Sequence, residues 1–164
     1  MNIVFRNFHI RDLSEVEQMI LGLYKEDVYG EPITLEKIRE TFYELTQNPE
    51  KGRIIVFTLD CEIIGYAILI FYWSNEFGGN IIVIDELFVK PALRNQGIAT
   101  QFFEYLSTQW QAKALQLEVT PSNPRALRYY QKLGFSISKN THLIKKIETS
   151  STIRHKYGLT FGKF

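Results

Sequence analysis

The stretch Arg94-Asn-Gln-Gly-Ile-Ala99 decides the fold, because it joins two segments of different hydrophobic periodicity. The apolar run at 81–89 is typical of a strand, and the pattern that begins at Ile98, with apolar residues every three or four positions, is typical of a helix. A turn from a strand into a helix directs several backbone N–H groups and the positive end of the helix dipole to one place. The sequence therefore predicts a site for a phosphate or pyrophosphate at this turn.

Two residues of the turn suit a phosphorylated ligand. Gly97 lets the backbone approach a ligand closely, and Arg94 adds a planar cation beside it. The turn lacks the Gly-Lys-Ser/Thr of nucleotide-hydrolysing phosphate loops and the spaced glycines of dinucleotide-binding folds. We therefore expect a pyrophosphate-bearing cofactor of another kind.

Length and composition are those of one ordinary globular domain. The chain has 164 residues, of which 45% are hydrophobic and 23% charged, and its net charge is +1. This balance gives no reason to expect nucleic acid or a membrane surface as a partner. No apolar run approaches membrane-spanning length and the N-terminus has no secretory pattern, so we predict a cytoplasmic protein. The single cysteine, Cys61, is interpreted as structural, and the three histidines show no metal-ligand spacing.

Turn and cap signals divide the chain into helices and strands. The sequence predicts a strand at 3–8, helices ending near 27 and 46, strands at 53–59, 62–71 and 81–89, a helix at 97–111, a strand at 115–120, a helix at 124–133, and strands at 134–138 and 143–147. This order indicates a mixed α/β sheet with a parallel pair around the glycine turn. Residues 1–147 then form a single domain. We predict that residues 148–164 are an apolar tail and expect it to be either an added edge strand or an interface segment.

A second informative stretch is Asn123-Pro-Arg-Ala-Leu-Arg-Tyr-Tyr-Gln-Lys-Leu-Gly-Phe135. Asn123 before a proline favours a helix cap followed by a first-turn proline. Tyr130 follows about two helical turns later and therefore lies on a similar face of the helix. Gly134 is expected to end that helix.

Together, the two stretches resemble the GCN5-related N-acetyltransferase (GNAT) superfamily. In its pattern a strand ending in Leu-x-Val precedes Arg/Gln-x-x-Gly-x-Gly/Ala and, later, Asn…Ala…Tyr-x-x-x-Gly-Phe. This chain supplies, in that order, Leu87-Phe-Val89, Arg94-Asn-Gln-Gly-Ile-Ala99 and Asn123…Ala126…Tyr130…Gly134-Phe135. The resemblance implies the GNAT fold, an α/β fold with a mixed sheet of about six to seven strands, about four flanking helices and a V-shaped opening between the fourth and fifth strands.

The resemblance also implies acetyl-CoA as cosubstrate, bound across the opening. Backbone groups at the end of the fourth strand would pair with the pantetheine arm, and the glycine turn would hold the pyrophosphate. The residues implied in cofactor binding are Leu87, Phe88, Val89, Arg94, Asn95, Gln96, Gly97, Ile98, Ala99, Thr100, Asn123, Ala126 and Tyr130.

The implied reaction needs a proton donor and a proton acceptor. Tyr130 would lie near the sulfur, and a tyrosine with an ordinary pKa of about 10 is protonated at neutral pH and can donate to the leaving thiolate. A strand amide near Leu87 or Phe88 could stabilise the oxyanion. An acceptor amine with a lysine-like pKa of about 10.4 must lose a proton before it attacks.

Asp85 and Glu86 are the candidates for that proton removal. On an extended strand they point to opposite faces, so one of them is expected to reach the amine. Resemblance to polyamine-type members of the superfamily favours Asp85, either for substrate binding or for water-mediated proton removal. Tyr24, Asp27 and Tyr29, near the end of the first helix, are further candidates for the acceptor site.

These signals favour an acetyl-CoA-dependent N-acetyltransferase that acts on a primary amine in a ternary complex. A small molecule (polyamine, amino acid or aminoglycoside) is preferred over a protein or peptide amine. Two alternatives stay open, namely a non-catalytic acyl-CoA-binding sensor and a partner-binding module. Homodimers are common in the superfamily, so a homodimer is also an expectation from the resemblance.

Overall fold

A computed structural model describes residues 2–26 and 31–147 of the chain. The elements are β1 (Ile3–Asn7), α1 (Leu13–Glu26), α2 (Leu35–Gln47), β2 (Gly52–Leu59), β3 (Glu62–Ser74), β4 (Gly79–Val89), α3 (Ile98–Gln109), β5 (Ala114–Leu117) and α4 (Pro124–Lys132), with short 3-10 turns before α1 and after β4. The predictions for Asp27, Tyr29 and the 148–164 tail concern positions outside the described residues and stay predictions. Within the described part, no helix has both the length and the apolar character needed to cross a bilayer.

One five-stranded sheet organises the described residues, with the strands side by side in sequence order. The first four strands are successively antiparallel, and β5 runs parallel to β4. Helices cover both faces of the sheet, which explains why β2 and β3 read as nearly continuous apolar runs. The core under α1 and α2 includes Val16, Ile20, Ile38, Phe42, Tyr66 and Ile68. The core under α3 includes Phe57, Leu69, Ile82, Ile84, Phe102 and Leu106.

The hairpin between β2 and β3 has the tight connection that the sequence predicts. Asp60 and Cys61 have φ angles of 50° and 69°. Positive φ at both central residues is what a two-residue type I′ turn requires, and the twist of that turn matches the flanking strands. Cys61 is exposed at this turn and therefore does not pack in the core.

The expected count of six to seven strands was wrong for the described residues, which form five. The segments at 134–138 and 143–147 form no ladder, and Ile137, Leu143 and Ile144 are 69%, 92% and 90% exposed. Alternating apolar residues favour a strand only where a neighbouring strand and a core complete it. At the start of the first segment, the N–H groups of Gly134 and Phe135 instead donate to carbonyl groups of α4.

The V-shaped opening between the fourth and fifth strands is present, as expected. Backbone pairing of β4 with β5 runs only from Ile81 opposite Ala114 to Ile84 opposite Leu117. Beyond that point β4 continues to Val89, still paired with β3, while β5 ends. The β5-facing edge of the last residues of β4 is therefore unpaired within the described part of the chain.

Candidate active site

A β-bulge in β4 lies where the two strands separate. Leu69 pairs with Ile84 but Ile68 pairs with Glu86, so Asp85 is an extra residue without a partner in β3. The bulge switches the faces of the strand. Residue 84 belongs to the core under α3, whereas residue 88 belongs to the core under α1 and α2. The expected extended strand across Asp85 and Glu86 is present, but it contains an inserted residue, which simple alternation of side chains cannot reveal.

Glu86 is held on the α1 side of the sheet by two tyrosines. It accepts a hydrogen bond from the Tyr66 hydroxyl at 2.8 Å and another from Tyr24. Burial raises the pKa of Glu86, the two hydrogen bonds oppose this shift, and the charge of Asp85 adds to it. Tyr24, the one acceptor-site candidate of α1 that falls within the described residues, thus lies beside a predicted catalytic carboxylate.

Asp85 lies at the same opening but is exposed. The pKa of Asp85 is raised, mainly because its carboxyl group is partly desolvated and to a smaller extent because of the negative charge of Glu118. Glu118 follows β5 directly, so carboxylates come from both walls of the opening. Such a concentration of negative charge attracts a cationic amine.

The glycine turn has a left-handed backbone at two residues. Gly97 caps α3 with φ of 79°, and Asn95 has φ of 65°. A Cβ atom added at Gly97 would have no heavy atom within 4 Å, because this side of the chain faces open space. Glycine is therefore favoured here by backbone conformation, while the space beside it stays free for a ligand.

A cleft of about 380 Å³ brings the predicted cofactor residues together between the end of β4, the glycine turn, α3 and α4. All of them line this cleft except Gln96, whose side chain instead donates to the Ala92 carbonyl at 3.4 Å. Asp85 and Glu86 are not in the lining. The cleft also contains residues that the sequence analysis missed, namely Leu23, Glu26, Leu93, Arg125 and Tyr129.

Arg94 is already occupied by protein groups. Its Nε donates to the Val89 carbonyl at 2.8 Å, and its two terminal nitrogens donate to the two carboxylate oxygens of Glu26 at 3.0 and 2.9 Å. The guanidinium also lies 5.2 Å from the centre of the Phe88 ring. The sequence offered no signal for the pairing with Glu26, because the two residues are distant in the chain.

Two contacts tie α4 to the glycine turn and to the first turn of α3. The Tyr129 hydroxyl lies 3.1 Å from the Thr100 hydroxyl, and Arg125 donates to the side-chain oxygen of Asn95. Arg125 belongs to the quoted motif and stands in the first turn of α4. Its position beside a predicted anion site is the signal from which it could have been found.

The predicted caps of α4 are confirmed. The Asn123 side chain accepts a hydrogen bond from the Ala126 N–H at 3.0 Å, and Pro124 occupies the first turn. At the other end, Gly134 has φ of 92°. The Phe135 N–H donates to the Tyr130 carbonyl at 3.0 Å and the Gly134 N–H to that of Gln131 at 3.1 Å, which is the bond pair of a Schellman motif.

This C-terminal cap brings the ring of Phe135 against the ring of Tyr130. The motif folds Phe135 back onto Tyr130, with ring centroids 5.7 Å apart, and Phe103 of α3 packs at 5.9 Å. Burial, with a smaller contribution from Tyr129, raises the pKa of Tyr130 to about 12. The hydroxyl is therefore protonated throughout the neutral pH range, and Tyr130 is one of the residues that line the cleft.

Comparisons with known proteins agree with this geometry. The family model of the acetyltransferase (GNAT) family matches residues 18–135. A structure described as a possible acetyltransferase from Clostridium difficile 630 is 21% identical, with a TM-score of 0.76 over 89% of this chain and 99% of that one. The aminoglycoside N-acetyltransferase AAC(6′)-Iy in complex with CoA is 17% identical, with a TM-score of 0.68 over 88% of this chain and 95% of that one.

A ribosomal-protein-alanine N-acetyltransferase from Brucella melitensis biovar Abortus 2308 is 14% identical, with a TM-score of 0.67 over 88% of this chain and 99% of that one. No protein with a curated description matches the chain. At these identities the solved structures show a shared fold. The family match spans well over half of the sequence, and the chain therefore belongs to the acetyltransferase (GNAT) family.

Proposed function

We propose that this protein is an acetyl-CoA-dependent N-acetyltransferase that moves an acetyl group directly to a primary amine of a small molecule. One observation carries the proposal. A single cleft joins the β5-facing edge at the end of β4, the left-handed turn at Gly97 and the half-buried side chain of Tyr130, although these features are far apart in the sequence.

The cleft has the features that acetyl-CoA would require. Backbone groups of Leu87 to Val89 pair with β3 on one side only, so the other edge is available to an extended pantetheine arm. The first turn of α3, with Gly97 at its start, supplies N–H groups and positive dipole for a pyrophosphate. The volume of about 380 Å³ lies in the usual range for small-molecule sites, roughly 300–1,000 Å³.

Bound acetyl-CoA would supply the thioester whose carbonyl carbon the amine attacks, forming a C–N bond as the C–S bond breaks. We assign Tyr130 as the group that donates a hydrogen bond to the sulfur as negative charge develops there. Its pKa of about 12 is above the ordinary thiol value of about 8.5. Tyr130 therefore acts by hydrogen-bond donation, and its proton stays mainly on the phenol oxygen.

The opposite side of the opening would receive the amine. Asp85, Glu86 and Glu118 favour a cationic acceptor, as expected for a polyamine or an aminoglycoside. A carboxylate with a raised pKa is also a better proton acceptor near neutral pH than an ordinary one. Proton removal by Asp85 or Glu86 is therefore part of the proposal, without a choice between the two.

The pH dependence of kcat/KM should identify which carboxylate, Asp85 or Glu86, accepts the proton. Because the pKa of each carboxyl group is raised, the acidic limb of kcat/KM should lie above the ordinary carboxyl value of about 4.3. Glu118→Gln removes a charge that raises the pKa of Asp85, so it should move the limb to lower pH if Asp85 is responsible. The limb should not move if Glu86 is responsible, because Glu118 does not contribute to its shift.

The matched variants Asp85→Asn and Glu86→Gln complete that measurement. Steady-state rates measured from about pH 4 to 9 should show that the acidic limb of the kcat/KM profile is lost in the variant that lacks the proton acceptor. A limb that persists unchanged in both would contradict a carboxylate proton acceptor.

The C-terminal cap of α4 gives a further expected result. Gly134→Ala and Gly78→Ala both place a side chain on a residue with positive φ, 92° and 62°, and nothing crowds either site. Both should lower the free energy of unfolding by about 1–2 kcal/mol in urea titrations. Only Gly134→Ala should also lower kcat, because only that cap holds the ring of Tyr130. Equal kcat values would show that the cap does not position Tyr130.

The first test is the release of free thiol from acetyl-CoA with a panel of polyamines, amino acids, aminoglycosides and short peptides. Release that depends on one amine class supports the enzyme and names its acceptor, and release with peptides alone would move the assignment to protein amines. CoA binding without release for any amine would favour the acyl-CoA sensor. Absence of CoA binding would favour the partner-binding module.

A cytoplasmic location and a homodimer stay predictions from the sequence.

A further inference from the structure

The ion pair between Glu26 and Arg94 stands inside the proposed cofactor cleft, and both residues contribute to its lining. Arg94 Nε is held by the Val89 carbonyl, which fixes the direction of the guanidinium. The two terminal nitrogens both bind the Glu26 carboxylate. The face of Arg94 that could receive an anion is therefore occupied by the last residue of α1.

A pyrophosphate would meet this carboxylate at its own binding position. Carboxylate and phosphate oxygens match the same forked donor geometry of a guanidinium, so one replaces the other. Two negative groups at one place also repel each other, and more strongly in a cleft than in open water. Glu26 therefore opposes the anion that Arg94 and the first turn of α3 attract.

We propose that Glu26 is an affinity-setting residue of the cofactor site, which holds Arg94 while the cleft is empty and gives up this ion pair when a pyrophosphate group binds. This inference rests on the proposed function, because it takes the pyrophosphate of CoA as the ligand. The side chains of Arg94 and Glu26 are 38% and 48% exposed, so the exchange breaks a partly solvated pair. Such a pair is weak enough for a ligand with several phosphate oxygens to displace.

The test is calorimetric titration of CoA into the wild type, Glu26→Gln, Arg94→Gln and the double variant. We expect Glu26→Gln to bind CoA about threefold to fivefold more tightly, as loss of competition from a partly exposed ion pair predicts. Arg94→Gln should bind more weakly than the wild type. In the Arg94→Gln background the additional change at Glu26 should have little effect, because the contested guanidinium is gone.

Three results would overturn the inference. If Glu26→Gln binds CoA as tightly as the wild type, the ion pair has no effect on CoA binding. If Glu26→Gln binds CoA more weakly, Glu26 instead orients Arg94 for the ligand. If the change at Glu26 increases CoA affinity as much in the Arg94→Gln background as in the wild type, Glu26 repels the ligand in general and does not exchange with it at Arg94. In contrast, a folded wild type that binds no CoA would contradict the proposed function itself, so the two failures are distinguishable.

Two controls localise the effect. Glu15 also lies on α1 and pairs with Lys90 at 2.7 Å, but neither residue lines the cleft, so Glu15→Gln should leave CoA affinity unchanged. Pantetheine has no pyrophosphate, so Glu26→Gln should not change its affinity. A gain with pantetheine would also contradict the exchange.

Discussion

Tyr130→Phe is expected to lower kcat by about a hundredfold, in the range found when one donor to a developing anion is removed. The hydroxyl is the only group lost, and the ring contacts with Phe103 and Phe135 remain. CoA affinity and the free energy of unfolding should therefore change little. The measurement is kcat from thiol release, with the Kd for CoA determined on the same protein.

Tyr129→Phe is the matched control for this variant. Its hydroxyl contacts Thr100 and it lies in the same cleft, one position before Tyr130. We expect a loss in kcat much smaller than that of Tyr130→Phe. Equal losses would contradict a specific role for Tyr130 at the sulfur, and a normal kcat in Tyr130→Phe would remove it from the reaction.

Gly97→Asp is expected to weaken CoA binding by roughly a hundredfold, because a unit charge a few ångströms from a pyrophosphate is worth several kcal/mol in a partly shielded site before salt screening. A side chain at Gly97 would enter the open space of the cleft. Asparagine and aspartate have the same shape and both tolerate positive φ better than other residues. Gly97→Asn is therefore the control, and its loss of affinity should be clearly smaller.

The difference between these two variants isolates the charge. Calorimetry at two salt concentrations should show that the difference in CoA affinity between the two variants becomes smaller as ionic strength rises, since partly exposed charges are screened. Equal affinities for the two variants would contradict an anion site at the start of α3.

Local signals explain why much of the site could be predicted. The caps at Asn123 and Gly134 depend on residues only a few positions away, and both formed as expected. The predicted turn from β4 into α3 through Gly97 also formed, because the change in hydrophobic periodicity marks it locally. Spacing then placed Tyr130 on the face of α4 that meets the cleft, because helical geometry is regular.

The strands predicted after α4 show the limit of local signals. Ile137 and Leu143 follow a strand-like pattern, yet both are exposed and outside the sheet. A strand needs a partner for its backbone, and the amino-acid pattern does not state whether one is available.

By itself, the sequence determined the family, the order of the elements from β1 to α4, the glycine turn and the position of Tyr130 on α4. These depend on periodicity and on short-range hydrogen bonds, which adjacent residues specify. Only the tertiary structure decided the bulge at Asp85, the hydrogen bond from Tyr66 to Glu86, and the pairing of Glu26 with Arg94. Each of these requires groups distant in the chain to meet, and their meeting follows from how the strands register and how α1 packs on the sheet.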